Sequence, residues 1–225
     1  MTYNEHCGQN IDPEATVSRF IQRKFHVQDP ELTARHRHGQ AGRRAPVDLQ
    51  STNIFFIGPR GCGKSTLARA VAEHAGMMIV DTDDLIQDMQ GQSIARIVED
   101  QGWEAFREME HEALLRVCQG TGQSVGTGGG VVLREENRQL LRSHGHVFYL
   151  LADAGILRQR LEAQKDASWR PPLSDLDADQ EAGKILAQRE PLYFQTLHYL
   201  LPADRPVQEL VQDVLERLGH VQERA

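Results

Sequence analysis

Gly58-Pro59-Arg60-Gly61-Cys62-Gly63-Lys64-Ser65-Thr66 is the stretch that decides how the rest of this chain is read. It fits the pattern G-x-x-x-x-G-K-[ST], in which successive backbone N–H groups curl inward around phosphate oxygens. Gly58, Gly61 and Gly63 permit backbone angles that a Cβ would forbid. Lys64 brings a positive charge to the outer phosphates, and the Ser65 hydroxyl is a hard oxygen of the kind that ligates Mg²⁺. Thr66 follows at once. A helix starting here directs its positive end at the same anion. The flanks agree with this. Residues 53–57, NIFFI, are a short apolar run of the kind found in a buried parallel strand. Leu67, Ala68, Val71, Ala72 and Ala75 recur at helical spacing, and Gly76 ends the helix. A glycine-rich turn with a surface lysine would need neither flank. Cys62 sits inside the loop, where a helix N-terminus would lower a thiol pKa. The plainer reading is that this residue is small enough to fit.

Outward from the loop, strands and helices alternate. Residues 77–80 read as a second strand ending at Asp81, followed by a helix through Leu85, Ile86 and Met89. A short helix at 93–98 precedes a longer one at 103–118, with Phe106, Met109, Ala113, Leu114 and Val117 on one face. Ser124-Val125-Gly126 is a short strand feeding Gly128-Gly129-Gly130, and residues 134–144 are helical. Residues 147–151, VFYLL, are the most strand-like run in the chain. Helix returns at 153–164, then a polar loop at 165–179, a helix at 181–197 despite Pro191, a strand at 198–201 and a last helix at 207–218. Such alternation implies a parallel sheet covered on both faces, with ligands at the carboxyl ends of the strands. The loops expected there begin at Gly58, Asp81 and Gly126. Asp81 and Asp83 lie two apart, so in an extended segment both carboxylates face the same crevice. One could hold Mg²⁺ and the other accept hydrogen bonds from a substrate hydroxyl. Asp84 is expected to cap the helix that follows.

Residues 1–50 read differently. Val17, Phe20, Ile21 and Phe25 make a short amphipathic stripe, with Asp12 and Pro13 suited to a helix start near residue 13. Residues 35–44, RHRHGQAGRR, have almost no apolar content and read as a linker. The domain boundary is therefore expected between 50 and 51, with an extension before it and the domain that carries the phosphate loop at 51–225. The net charge of -7 does not fit a general nucleic-acid binder, and the first fifty residues, with seven Lys/Arg against six Asp/Glu, contribute almost none of it. No apolar run approaches a membrane span. The three cysteines, Cys7, Cys62 and Cys118, are odd in number and widely spaced, which argues against a disulfide framework and for a reducing compartment. The N-terminus lacks a basic-then-apolar signal pattern, and the expected location is cytoplasmic.

The phosphate loop, Asp81-Thr82-Asp83, Gly91-Gln92-Ser93-Ile94, Phe106-Arg107-Glu108-Met109-Glu110, Gly128-Gly129-Gly130, Arg170-Pro171 and Arg189-Glu190-Pro191-Leu192-Tyr193 follow one another in an order and spacing that resembles the shikimate kinase family, over about residues 52–220. The resemblance implies an α/β three-layer P-loop kinase: a five-stranded parallel sheet flanked by helices, with a mobile lid over 165–179. It implies phosphoryl transfer from ATP to the 3-hydroxyl of shikimate. On matching positions, Gly58, Gly61, Cys62, Gly63, Lys64, Ser65 and Thr66 would bind the nucleotide, and Asp81 with Ser65 would attend Mg²⁺. Asp83 would bind the shikimate hydroxyls and accept a proton. Arg107 and Arg189 would hold the shikimate carboxylate, a task that suits the planar guanidinium fork. Glu110, one helical turn from Arg107, would orient it. Gly128, Gly129 and Gly130 would let backbone approach the substrate ring. Arg170 would reach the transferring phosphates from the lid. Arg160 aligns loosely with a nucleotide-contacting arginine, and Ala203-Asp204-Arg205-Pro206 falls where the family meets adenine. The partners implied are ATP and shikimate, acting on a monomer. Two readings remain beside this one: another small-metabolite kinase, of the gluconate type, and an inactive module that senses shikimate.

Overall fold

In the computed structural model, residues 45–163 and 178–220 are described, and residues from Ala45 on form one compact unit. The expected helix near 13–25, the linker at 35–44 and nearly all of the expected lid, Arg170 included, lie outside the described residues.

Five parallel strands make one sheet: β1 (Asn53–Ile57), β2 (Met78–Asp81), β3 (Gln123–Gly126), β4 (Gly145–Leu151) and β5 (Tyr199–Pro202). They lie in the order β2-β3-β1-β4-β5. Between them run α1 (Lys64–Ala75), α2 (Thr82–Gln90), α3 (Ile94–Val117), α4 (Glu135–Ser143), α5 (Ala154–Ala163) and α6 (Ala178–Thr196), and α7 (Val207–Arg217) follows β5. Asn53 pairs with Gly145 and Ile57 with Tyr149, while Ile54 pairs with Ser124. The middle strand β1 is buried at all five positions, as expected of a strand covered on both faces. Alternate residues serve alternate faces. Ile54, Phe56, Phe148, Leu150 and Leu201 pack with Leu67, Val71, Val211 and Val214 of α1 and α7. On the opposite face, Tyr149 stacks on Tyr193 of α6 with ring centroids 5.0 Å apart. A buried phenylalanine such as Phe56 contributes about 1.5–3 kcal/mol relative to an exposed one.

Two local outcomes differ from the sequence reading, and one agrees with it. The two helices expected at 93–98 and 103–118 are both present, joined end to end as α3 across a kink at Gly102 with φ 81°. A 3-10 turn, Val131–Leu133, follows the triple glycine where nothing was expected. The loop expected over 165–179 ends earlier, because α6 is already formed at Ala178. β2 is an edge strand, and Met78 there stays 65% exposed.

The chain reverses its direction of travel across the sheet beside β1, which has β3 on one side and β4 on the other. Sheets of this kind bind ligands at such a switch point, outside the carboxyl ends of the strands. The phosphate loop, the Asp81 corner and the triple glycine leave β1, β2 and β3 at that end. Among the described residues no helix is long and apolar enough to cross a membrane.

Candidate active site

The loop after β1 curls as its glycines allow. Gly58, Gly61 and Gly63 have φ of 148°, 81° and 99°, and Gly63 is the left-handed cap from which α1 starts. Lys64, 8% exposed, donates from Nζ to Gly58 O at 3.0 Å and Pro59 O at 2.8 Å. Its charge is thereby tied to the rim of the loop. Cys62 is buried, and its thiol is pushed above the ordinary value by that burial, with Lys64 opposing. The thiol is thus raised rather than lowered, because desolvation outweighs the nearby positive charge, and the plainer reading of Cys62 as a residue small enough to fit is the one that agrees. Arg160 donates to Cys62 O at 3.2 Å and to Ala203 O at 2.9 Å, joining the phosphate loop to the segment after β5. Arg205 in that segment is paired with Glu209 and Asp213.

Asp81 ends β2 and caps α2: its Oδ1 accepts from the Asp83 N–H at 2.9 Å. The cap is therefore Asp81 rather than Asp84. An Asx-type turn fits here because Asp81 keeps extended angles while Thr82 and Asp83 already belong to the helix. For the same reason the two carboxylates do not share a side as extended neighbours. The Ser65 hydroxyl donates to Asp81 Oδ2 at 2.5 Å, which couples α1 to the end of β2. Thr82, buried, accepts the Gly128 N–H on its Oγ1 at 3.0 Å and so holds the start of the triple glycine. A Cβ on Gly128 would stand 3.0 Å from Asp83 Oδ1, so that carboxylate faces the glycine loop.

Arg107 and Arg189 reach the same loop from α3 and α6. Arg107 Nη1 pairs with Glu110 Oε2 at 2.7 Å, and the Glu110 side chain is only 2% exposed. The guanidinium also lies 5.4 Å from the Trp103 ring centroid, a cation–π contact. Arg189 Nη1 donates to Gly129 O at 3.2 Å, and Tyr193 donates to the same oxygen at 2.6 Å. Burial first, and neighbouring Arg107 after it, push the Arg189 guanidinium below its ordinary value. The glycines have an internal task that the sequence did not disclose. A Cβ on Gly130 would land in the Arg107 guanidinium, and one on Gly128 would crowd Glu110. Each makes room for a side chain of the protein as well as for a substrate. Thr82 and Tyr193 also went without a role in the sequence reading. Tyr193 stood four residues from Arg189, the helical spacing that puts two side chains on one face.

A phosphate-binding loop with a catalytic-type lysine, at the switch point of a parallel sheet and beside two carboxylates and two arginines, defines a P-loop phosphotransferase for a small anionic substrate. The comparisons narrow the class. The family model for shikimate kinase matches residues 60–219. Shikimate kinase 2 of Dickeya chrysanthemi is 41% identical over 165 residues, 73% of this chain and 95% of that protein. Shikimate kinase 2 of Enterobacter sp. (strain 638) is 39% identical, over 73% and 94%. The solved structure of shikimate kinase from Acinetobacter baumannii in complex with shikimate aligns with a TM-score of 0.70 at 31% identity, covering 75% of this chain and 93% of that one. The chain belongs to the shikimate kinase family.

Proposed function

We propose that this chain transfers the γ-phosphoryl group of ATP to the 3-hydroxyl of shikimate, with Arg107 and Arg189 holding the carboxylate and Asp83 accepting the proton of the attacking hydroxyl. Family membership supports the reaction. One observation supports the residue roles: two guanidinium groups from different helices come to one glycine loop, close enough for Arg107 to depress Arg189. Like charges brought together in a half-buried site are relieved by an anion, and a carboxylate matches their forked geometry. Shikimate carries its carboxylate on the side of the ring opposite the reacting hydroxyl. With the carboxylate on the arginines, the hydroxyl end falls to Asp83, on the side of the phosphate loop.

The chemistry is then mostly positioning and charge neutralisation. The N–H groups of the loop orient the phosphates, and Lys64, fixed by Gly58 O and Pro59 O, faces the outer ones. Ser65 Oγ and Asp81 Oδ2 offer two hard oxygens 2.5 Å apart, a donor set that fits Mg²⁺, directly or through water. When bound, Mg²⁺ would neutralise negative charge on the outer phosphates. The assignment of Arg170 to the transferring phosphates rests on the resemblance. The free cysteines Cys62 and Cys118 support a reducing, cytoplasmic setting. A coupled assay of ADP release, with and without shikimate, tests the reading. Release that requires shikimate supports it. Shikimate binding without turnover would reduce the chain to a sensing module.

A further inference from the structure

We propose that Tyr193 is a positioning residue for the carboxylate grip, acting through Gly129 on Arg189. The inference rests on the reading that Arg189 holds the shikimate carboxylate. A carbonyl oxygen has two lone pairs. On Gly129 both are taken by side chains from one face of α6: Arg189 Nη1 at 3.2 Å and Tyr193 Oη at 2.6 Å. The tyrosine bond is the shorter, and its donor is fixed. The Tyr193 ring is fully buried and stacked on Tyr149, with 20° between the planes, and Tyr149 is anchored in β4. Burial keeps the Tyr193 hydroxyl protonated throughout the working range, so it stays a donor. Arg189 by contrast is a long side chain with many rotamers. Its orientation toward the glycine loop is therefore set by a carbonyl whose own position the tyrosine secures. The same carbonyl belongs to the loop that leads from Gly128, held by Thr82, to Gly130, which makes room for Arg107. Without the phenolic bond, the Gly129 peptide and the Arg189 guanidinium drift together, and the two-armed grip loses one arm.

The neighbouring Tyr149 supplies an internal control. It shares the stack, and its buried hydroxyl has no hydrogen-bond partner among the described residues. Removing that hydroxyl leaves the grip unaffected, whereas removing the Tyr193 hydroxyl does not.

The test is steady-state kinetics of the full chain with Tyr193→Phe, Tyr149→Phe, Arg189→Lys and the double variant Tyr193→Phe/Arg189→Lys. Tyr193→Phe keeps the ring stack and is expected to raise the KM for shikimate roughly tenfold, the worth of one hydrogen bond, with kcat within about twofold. The KM for ATP stays unchanged. Tyr149→Phe changes neither. In the Arg189→Lys background the Tyr193 effect largely disappears, because a lysine does not use the carbonyl to orient a fork. A purely structural tyrosine would lower thermal stability without this non-additivity and would disturb both substrates alike. Wild-type shikimate turnover together with an unaltered shikimate KM in Tyr193→Phe would overturn the inference, and so would full additivity with Arg189→Lys. Absence of shikimate turnover in the wild type would instead overturn the functional reading beneath it.

Discussion

The phosphate loop and the carboxylate grip meet at one end of the sheet and are built in opposite ways. The loop is nine consecutive residues whose ligands are mostly backbone N–H groups, and its shape follows from three glycines with positive φ. The grip is made of Arg107 and Arg189, eighty-two positions apart, and of a glycine segment between them. Its shape follows from packing: Glu110 buried against Arg107, Tyr193 against Gly129, Thr82 against Gly128. A contiguous site is specified by its own sequence. A distributed site depends on supporting side chains that touch no substrate, so it has more ways to fail by degrees.

That contrast orders the expected effects of substitution. Asp83→Asn should lower kcat by roughly 10²–10⁴, because proton acceptance matters at the transition state, and should leave the KM for ATP near its starting value. Lys64→Ala, which removes the fixed charge at the loop, should lower kcat by about 10²–10³ while shikimate still binds, as titration calorimetry can check. Either arginine of the grip acts before and during the transfer. Arg107→Ala or Arg189→Ala should therefore raise the KM for shikimate about ten- to a hundredfold with little change for ATP. If these variants lost ATP binding instead, the separation into loop and grip would fail.

Two smaller effects concern the end of the sheet away from the site. The His198 Nδ1 accepts the Val147 N–H at 3.1 Å, which requires an unprotonated nitrogen. Burial, then Arg142 and His146, push the His198 pKa down to about 4. The unfolded chain binds this proton near pH 6.5 and the folded one does not until about pH 4. The contribution of the neutral ring is complete above about 6.5 and is lost as pH falls through that window. Thermal midpoints of wild type and His198→Asn, read between pH 7 and 4.5, should converge as the pH falls, with turnover at pH 7 little altered. The smallest effect is expected from shortening the chain to begin at Ala45, which should leave kcat and both KM values within about twofold. Beginning at Ser51 should lower the melting temperature. It removes the Val47 N–H bond to Leu218 O, the His220 bond to Val47 O and the buried Leu49. We propose that the boundary expected at 50/51 lies before Ala45, and melting of the two shortened chains decides the point.

What the sequence made legible follows the same division. The strand, loop and helix around Lys64 could be read residue by residue, because glycine angles and local periodicity determine them. Asp81, Asp83, Arg107 and Arg189 were found by their order along the chain, and the fold brings them to one end of the sheet. The rest depended on three-dimensional neighbours. Nothing local says that Asp81 rather than Asp84 caps α2, since both are good caps and the choice is made where β2 ends. The Cys62 thiol responds to burial that a one-dimensional pattern does not measure. Gly130 reads in sequence as room for a substrate ring, and in the fold it is also the space that the Arg107 guanidinium fills. The exposure of Met78 follows from the edge position of β2, which only the strand order reveals.

The central claim is that one end of this sheet joins a phosphate site to a carboxylate site, and ADP release measured with shikimate and with its analogue lacking the carboxylate tests it most directly. The account predicts release that depends on shikimate, a KM for the analogue raised about a hundredfold or more, and a gap between the two substrates that narrows in Arg107→Ala and Arg189→Ala. Equal KM values for shikimate and the analogue in the wild type would contradict it.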